Sequence, residues 1–92
     1  MRSTGKKIRV NATEGEQAGE IYLQWNSEKN AQYFILEMKS PRGKQWKIVD
    51  IINEPKYLLE KLRSKCRYIF RVSIMYKNGQ SKKSRSAAII AP

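Results

Sequence analysis

The sequence predicts an all-β fold in which two antiparallel sheets pack face to face. Apolar side chains recur at every second position in several segments, which is the period of a half-buried strand. Turn-forming residues separate these segments at intervals of about 8 to 12 residues, a spacing typical of a sandwich of about seven strands. The chain has 92 residues, which suits a single domain built around one core.

Four strands are expected in the first part of the chain. In the second of them Ile21, Leu23 and Trp25 alternate with Glu, Tyr and Gln, so that one face is apolar. The third is apolar on both faces. Polar residues at 26–30 and the Ser-Pro-Arg-Gly run at 40–43 are the turn signals between them. The expected strands are residues 8–12, 20–25, 31–38 and 46–52.

The last third of the chain contains the clearest strand and a hairpin. Aromatic and aliphatic side chains recur at period two through residues 66–76. Asn78-Gly79 follows, and this pair is a strong signal for a tight turn between antiparallel strands. We therefore expect a returning strand at residues 84–90.

Residues 55–65 allow two interpretations. Pro55 followed by Leu58, Leu59 and Leu62 suits a short helix. A strand would instead point Tyr57 and Leu59 inward and leave Leu62 to fill the corner before the next strand. The surrounding rhythm of strands and turns favours the second interpretation.

The composition excludes several kinds of chemistry. The chain has no histidine, which removes Ser-His-Asp and Cys-His catalysis and the zinc sites that use histidine. The single cysteine can form neither an intrachain disulfide nor a cysteine-rich metal site. No apolar run approaches the roughly 20 residues that span a bilayer. We expect no catalytic residue, metal or cofactor, and no membrane span.

The positive charge is concentrated near the C-terminus. The formal net charge is +11, and residues 61–92 carry nine Lys or Arg and no Asp or Glu. Such a field favours encounters with anions without specifying a fold. The two interpretations are a solvated surface and a patch for an acidic polymer, either an acidic glycan or nucleic acid.

Three features of the sequence resemble fibronectin type III domains, from about Lys7 to the end. A Trp closes the second strand in Ile-Tyr-Leu-Gln-Trp25, and Tyr33 opens the third in Tyr-Phe-Ile. Leu62 precedes Tyr68 by six residues, and Gly79, Ser81 and Ser84 follow. The residue sequences of the second and third strands are more similar to bacterial members of the family than to animal ones.

This resemblance implies a seven-stranded immunoglobulin-like β-sandwich over residues 7–92, preceded by a flexible basic segment at residues 1–6. Leu62 and Tyr68 would form the tyrosine corner of the family, and the Tyr68 hydroxyl would need a backbone partner there. Trp25 and Tyr33 would pack with Tyr68 between the sheets. The sequence departs from the family pattern at Ser64, where Pro is usual, and at Cys66, where Thr is common.

Two candidate binding surfaces follow from the strand pattern. The first is an apolar stripe on the outside of one sheet, and it is a candidate because exposed apolar patches often mark interfaces. In the alternative interpretation, the aliphatic parts of neighbouring Lys and Arg side chains cover this stripe. We expect this stripe to contain Phe34, Leu36, Met38, Ile69 and Met75. The second is a basic patch formed by Arg71, Lys77, Lys82, Lys83 and Arg85.

The sequence therefore predicts a non-catalytic module that serves as a protein-interaction or spacer domain. The family resemblance suggests that its partner is another protein or a neighbouring domain of a larger surface or secreted protein. If the domain belongs to such a larger chain, we expect it outside the cell or at the cell surface. Two alternatives stay open: a basic module that binds an acidic polymer, and a weakly self-associating module. A strong salt dependence of binding would identify the first, and an increased mass in solution would identify the second.

Overall fold

The computed structural model describes residues 8–40, 42–79 and 81–92, and these residues form β-strands and no helix. The segment 1–6 expected to be flexible lies outside them. No described segment qualifies as a helix that crosses a membrane. The strands are β1 (Val10–Glu14), β2 (Ile21–Trp25), β3 (Ala31–Lys39), β4 (Lys47–Ile52), β5 (Lys56–Leu59), β6 (Arg67–Tyr76), β7 (Ser81–Lys83) and β8 (Ala87–Ile90).

The strands pair into two antiparallel sheets, which we name the small sheet and the large sheet. The small sheet has the order β1-β2-β5. The large sheet has the order β4-β3-β6, and both β7 and β8 pair with β6. The prediction of an all-β antiparallel sandwich is confirmed. The 55–65 segment contains the strand β5, and the helical alternative is wrong.

The returning strand is divided into β7 and β8 because the Ser84 side chain interrupts the backbone ladder. The Ser84 N–H donates to the Val72 carbonyl at 2.8 Å. The Val72 N–H then donates to Ser84 Oγ at 2.9 Å, in place of a backbone carbonyl. This use of the Ser84 side chain as acceptor, in place of a backbone carbonyl, explains why the described residues contain eight strand segments where seven strands were expected.

The core lies between the two sheets and is built mainly from β2, β3 and β6. Alternate residues of β2 and β6 point into it, as the sequence pattern predicted. Trp25 and Phe34 meet edge to face with ring centroids 5.6 Å apart, a favourable aromatic geometry. The buried apolar residues are Ile8, Ile21, Leu23, Trp25, Phe34, Leu36, Leu59, Tyr68, Phe70, Val72, Ile74 and Ala91.

The predicted outward orientation of Phe34, Leu36 and Met38 is wrong. Phe34 is 3% exposed and Leu36 is 0% exposed, and Met38 packs against the same core. The reason is the register with β6, in which Leu36 lies opposite the buried Val72. Cross-strand partners share one face of a sheet, so the inward face of β6 fixes that of β3.

The predicted position of Tyr33 between the sheets is wrong for the same reason. It was expected to pack between the sheets, but it is half-buried on the opposite face of β3 and lies opposite Met75. Because residues of a strand alternate between faces, the inward orientation of Phe34 requires Tyr33 to point outward.

Tyr68 connects strand β6 to the segment of chain that precedes it. Its ring is buried, and its hydroxyl accepts a hydrogen bond from the Arg63 N–H at 3.0 Å. Leu62 packs against the core beside it. This arrangement supplies the backbone partner that the hydroxyl needs and fixes the crossing from β5 to β6.

Asp50 forms a second connection between the sheets, at the edge strands β4 and β5. Its Oδ1 accepts the N–H of Ile51 at 2.8 Å, and its Oδ2 accepts the hydroxyl of Tyr57 at 3.1 Å. Burial raises the pKa of Tyr57, and the hydrogen bond and negative charge of Asp50 raise it further. Asp50 thereby links β4 of the large sheet to β5 of the small one.

We expect Tyr68→Phe to lower the free energy of unfolding by about 1 to 2 kcal/mol, because the Arg63 N–H loses its acceptor in a partly buried place. The measurement is urea unfolding with an unchanged slope. Tyr22→Phe is the matched control, since the Tyr22 hydroxyl accepts a hydrogen bond from the Gln24 side chain at an exposed site. Equal losses in both variants would contradict the role of the corner.

We expect Leu36→Ala to lower the free energy of unfolding by about 3 kcal/mol, because it leaves a cavity at a fully buried site. Ile51→Ala, at an exposed position of the same sheet, should change it by no more than about 0.5 kcal/mol. Thermal unfolding of both variants measures the difference. A small effect at Leu36 would show that this residue is not in the core.

Candidate interaction surface

The side of the large sheet that faces away from the core is the candidate surface, and we call it the outer face. Of the apolar residues predicted to lie there, Ile69 and Met75 do so and are half-buried. Strand alternation and pairing bring other residues beside them. The outer face contains Tyr33, Ile35, Glu37, Lys39, Ile48, Ile51, Arg67, Ile69, Arg71, Met75, Lys83 and Ile90.

Two isoleucines of the edge strand β4 are among the most exposed apolar residues of the outer face. Ile48 is 61% exposed and Ile51 is 56% exposed. Ile51 lies opposite Ile35 and Ile48 lies opposite Glu37, so a separation of three residues on β4 matches a separation of two on β3. The register shift that accommodates the extra residue is a β-bulge, and it places both isoleucines on one face.

A rigid ion pair lies beside these isoleucines. Arg71 donates to Glu37 through Nε at 2.9 Å and through a terminal nitrogen at 3.3 Å, a two-point geometry that fixes both side chains. The Arg71 guanidinium also lies 4.2 Å from the centre of the Trp46 ring, and Lys39 Nζ lies 5.7 Å from it. These are cation–π contacts. Arg71 is therefore compensated and held in place.

The predicted basic patch does not form one surface. Lys82 and Lys83 are neighbours on β7 and point to opposite faces. Lys82 Nζ lies 3.6 Å from Glu28 Oε1, so this lysine, like Arg71, already has a carboxylate partner. Lys77 lies in the turn after β6, and Arg85 lies between β7 and β8. Arg71 and Lys83 share the outer face, but Lys82 points to the other side of the sheet, so the five cations that the sequence grouped do not lie on one face.

Glu28 connects the loop after β2 to the hairpin of β6 and β7. Its Oε2 accepts a hydrogen bond from the Tyr76 hydroxyl. Burial raises the pKa of Tyr76 to about 12, with further contributions from the hydrogen bond and the charge of Glu28. The neutral hydroxyl thus remains the donor throughout the physiological range.

Sequence reasoning missed Ile35, Ile48, Ile51 and Trp46 as surface residues. The β-bulge leaves no mark in the local pattern, and no local pattern indicates the stacking of Trp46 on Arg71. The described part of the chain contains no group of three or more Cys, Asp or Glu side chains placed to hold a metal ion.

Comparison with known proteins identifies the fold. No protein-family model and no curated protein matches the sequence. Among solved structures, the chain is similar to the fourth fibronectin type III domain of a human protein, with 20% identity over 99% of this chain and 81% of that one and a TM-score of 0.78. It is also similar to an Fn3-like protein from Clostridium thermocellum, with 19% identity, coverage of 91% and 88%, and a TM-score of 0.76.

A third similar structure is pectate lyase PelI from Erwinia chrysanthemi in complex with tetragalacturonic acid. The identity is 10% and the TM-score is 0.76, and the match covers 90% of this chain and 28% of that one. The chain therefore spans little more than a quarter of that enzyme. At these identities the comparisons establish the fold, and the protein has the fibronectin type III fold.

Proposed function

We propose that the protein is a non-catalytic fibronectin type III module that binds another protein through the outer face of its large sheet. The observation that carries this proposal is the exposure of Ile48 and Ile51 on a face whose Glu37 is already paired with Arg71. Exposed apolar residues grouped on one face and bordered by charge are typical of interaction surfaces.

The centre of the outer face is suited to burial. Ile35, Tyr33 and Met75 are already half-buried on the same face as the two exposed isoleucines, so a partner needs to displace little water to complete their burial. The ion pair of Arg71 with Glu37 presents no uncompensated charge to the partner, which lowers the cost of desolvating it. A few apolar side chains in such a centre commonly supply most of the binding energy.

The partner that fits this face has an apolar centre and an acidic rim. Lys39, Arg67 and Lys83 lie on the outer face around the apolar residues, and the net charge of the chain is +11. Complementary charge at a rim steers association. The same net charge opposes binding of a second copy of this chain, so we favour a different, acidic protein.

A spacer role is compatible with the same fold. Val10, which begins β1, pairs with Trp25 at the end of β2. The carbonyl of Pro92 instead accepts the N–H of Gly19, just before β2 starts. The two ends of the described domain thus lie at opposite ends of the sandwich. The acidic-polymer alternative at the predicted basic patch has less support, because Arg71 and Lys82 are compensated.

The test replaces both isoleucines of the outer face. The wild-type chain is used to capture partners, each captured protein is identified and purified, and its affinity is then measured by calorimetry. We expect Ile48→Asp with Ile51→Asp to weaken binding of the true partner at least 30-fold, which corresponds to about 2 kcal/mol.

The control is Leu58→Asp, which makes the same kind of change at a residue of the small sheet that is also exposed. It should alter the affinity by less than twofold. Equal weakening by both changes, or none by the double variant, would refute the outer face as the binding surface. A dimeric mass of the chain alone by light scattering, lost in the double variant, would assign the face to self-association and overturn the proposal of an acidic partner.

A further inference from the structure

An open groove of about 810 Å³ lies on the small sheet, at the end where β1 begins and β2 ends. It lies on the opposite side of the sandwich from the outer face and is therefore separate from the proposed protein-binding surface. The polar side chains that line it are Arg9, Asn11, Gln24, Asn26 and Lys56.

Three of these side chains form a row across the sheet. Asn11 of β1 lies opposite Gln24 of β2, and Gln24 lies opposite Lys56 of β5. Neighbouring strands are about 4.8 Å apart, so the row presents two carboxamides and an ammonium group at regular intervals. All three residues are exposed, and the backbone ladder beneath them fixes their spacing.

The carboxamides retain hydrogen-bonding capacity toward the groove. Asn26 Oδ1 accepts the Arg9 N–H at 3.0 Å, a bond that does not use the amide nitrogen of Asn26. Gln24 donates one N–H to the Tyr22 hydroxyl at 3.2 Å, which leaves its second N–H and its oxygen unused by that bond. A carboxamide is both donor and acceptor, and so it can match a hydroxyl group in either role.

The electrostatics of the groove favour an anion. Two cationic side chains, Arg9 and Lys56, line it, and no Asp or Glu does. Lys56 Nζ lies 4.0 Å from Glu54, but both side chains are more than half exposed, and such surface pairs are weak. An incoming carboxylate can therefore compete for Lys56.

Trp25 also lines the groove but is only 5% exposed. Its indole N–H is buried and has no hydrogen-bond partner among the described residues. Because this nitrogen has almost no accessible surface, it offers no contact to a ligand in the groove, and recognition there depends on the exposed carboxamides and cations.

We propose that this groove binds an acidic oligosaccharide, that is, a chain of sugars that carry carboxylates. The carboxamides of Asn11, Gln24 and Asn26 bind its hydroxyl groups, and Arg9 and Lys56 bind its carboxylates. A nucleic acid fits less well, because single-stranded bases bind by stacking on exposed aromatic rings and the Trp25 ring is buried in the core. A protein partner would seek an apolar anchor, and none of the exposed large apolar side chains of the described residues lines the groove.

The test is a titration with a defined tetrasaccharide of uronic acid residues, followed by NMR and calorimetry. We expect the side-chain amide signals of Asn11, Gln24 and Asn26 to shift together. The neutral tetrasaccharide of the same linkage should bind at least tenfold more weakly. Gln24→Ala and Arg9→Gln should each reduce the affinity for the acidic sugar about five- to tenfold.

Lys83→Gln is the charge-matched control for Arg9→Gln, because it removes one positive charge from the opposite sheet. It should change the affinity by less than twofold at moderate salt. Equal effects of both changes would mean that the sugar responds to the overall field of the protein, and this outcome would overturn the site. Tighter binding of a single-stranded oligonucleotide, or unshifted carboxamide signals with the sugar, would overturn it as well. Unchanged thermal unfolding of each variant excludes loss of the fold as the cause.

Discussion

The pairing of β3 with β6 is the constraint on which the rest of this molecule depends. It places Leu36 opposite Val72 and Phe34 opposite Ile74, and all four are buried. A shift of this register by one residue would exchange the two faces of a strand that is apolar on both sides. The core, the outer face and the position of Arg71 beside Glu37 all follow from this one alignment.

The outer face owes its composition to an irregularity in the neighbouring strand. With a regular ladder, Ile48 and Ile51 would point to opposite sides of the sheet, because they are three residues apart. The β-bulge brings them to one side, while Val49 packs against the core. A single inserted residue thus converts an edge strand into part of an apolar surface. The same surface is kept free of net charge at its centre by the pairing of Arg71 with Glu37.

Much of the fold could be predicted from the sequence, because its signals are local. The alternation around Trp25 and Phe70 indicated two strands with one buried face each, and the resemblance to fibronectin type III domains implied the corner of Leu62 and Tyr68. The turn at Asn78-Gly79 predicted the hairpin, and Gly79 has a positive φ of 87°. These elements need no knowledge of distant residues, and the structure contains each of them.

The surface could be predicted far less well, because its features arise from contacts between distant segments. The strand at residues 31–38 is apolar on both faces, so alternation did not reveal whether Phe34 or Ile35 points inward. The partners Glu37 and Arg71 are 34 residues apart, and only the sheet brings them together. The basic residues near the C-terminus are grouped in sequence, but the alternation of β7 directs Lys82 and Lys83 to opposite faces.

Asp50 has a consequence for how the chain behaves at high concentration. β4 is an edge strand of the large sheet, and free N–H groups along such an edge can template the strands of other molecules. The Ile51 N–H already donates to Asp50, and the Tyr57 hydroxyl holds that carboxylate in place. This intramolecular cap withdraws a donor from the edge and adds a negative charge to it. The molecule can therefore expose two isoleucines on a sheet face while its border resists the strand-by-strand growth that leads to fibrils.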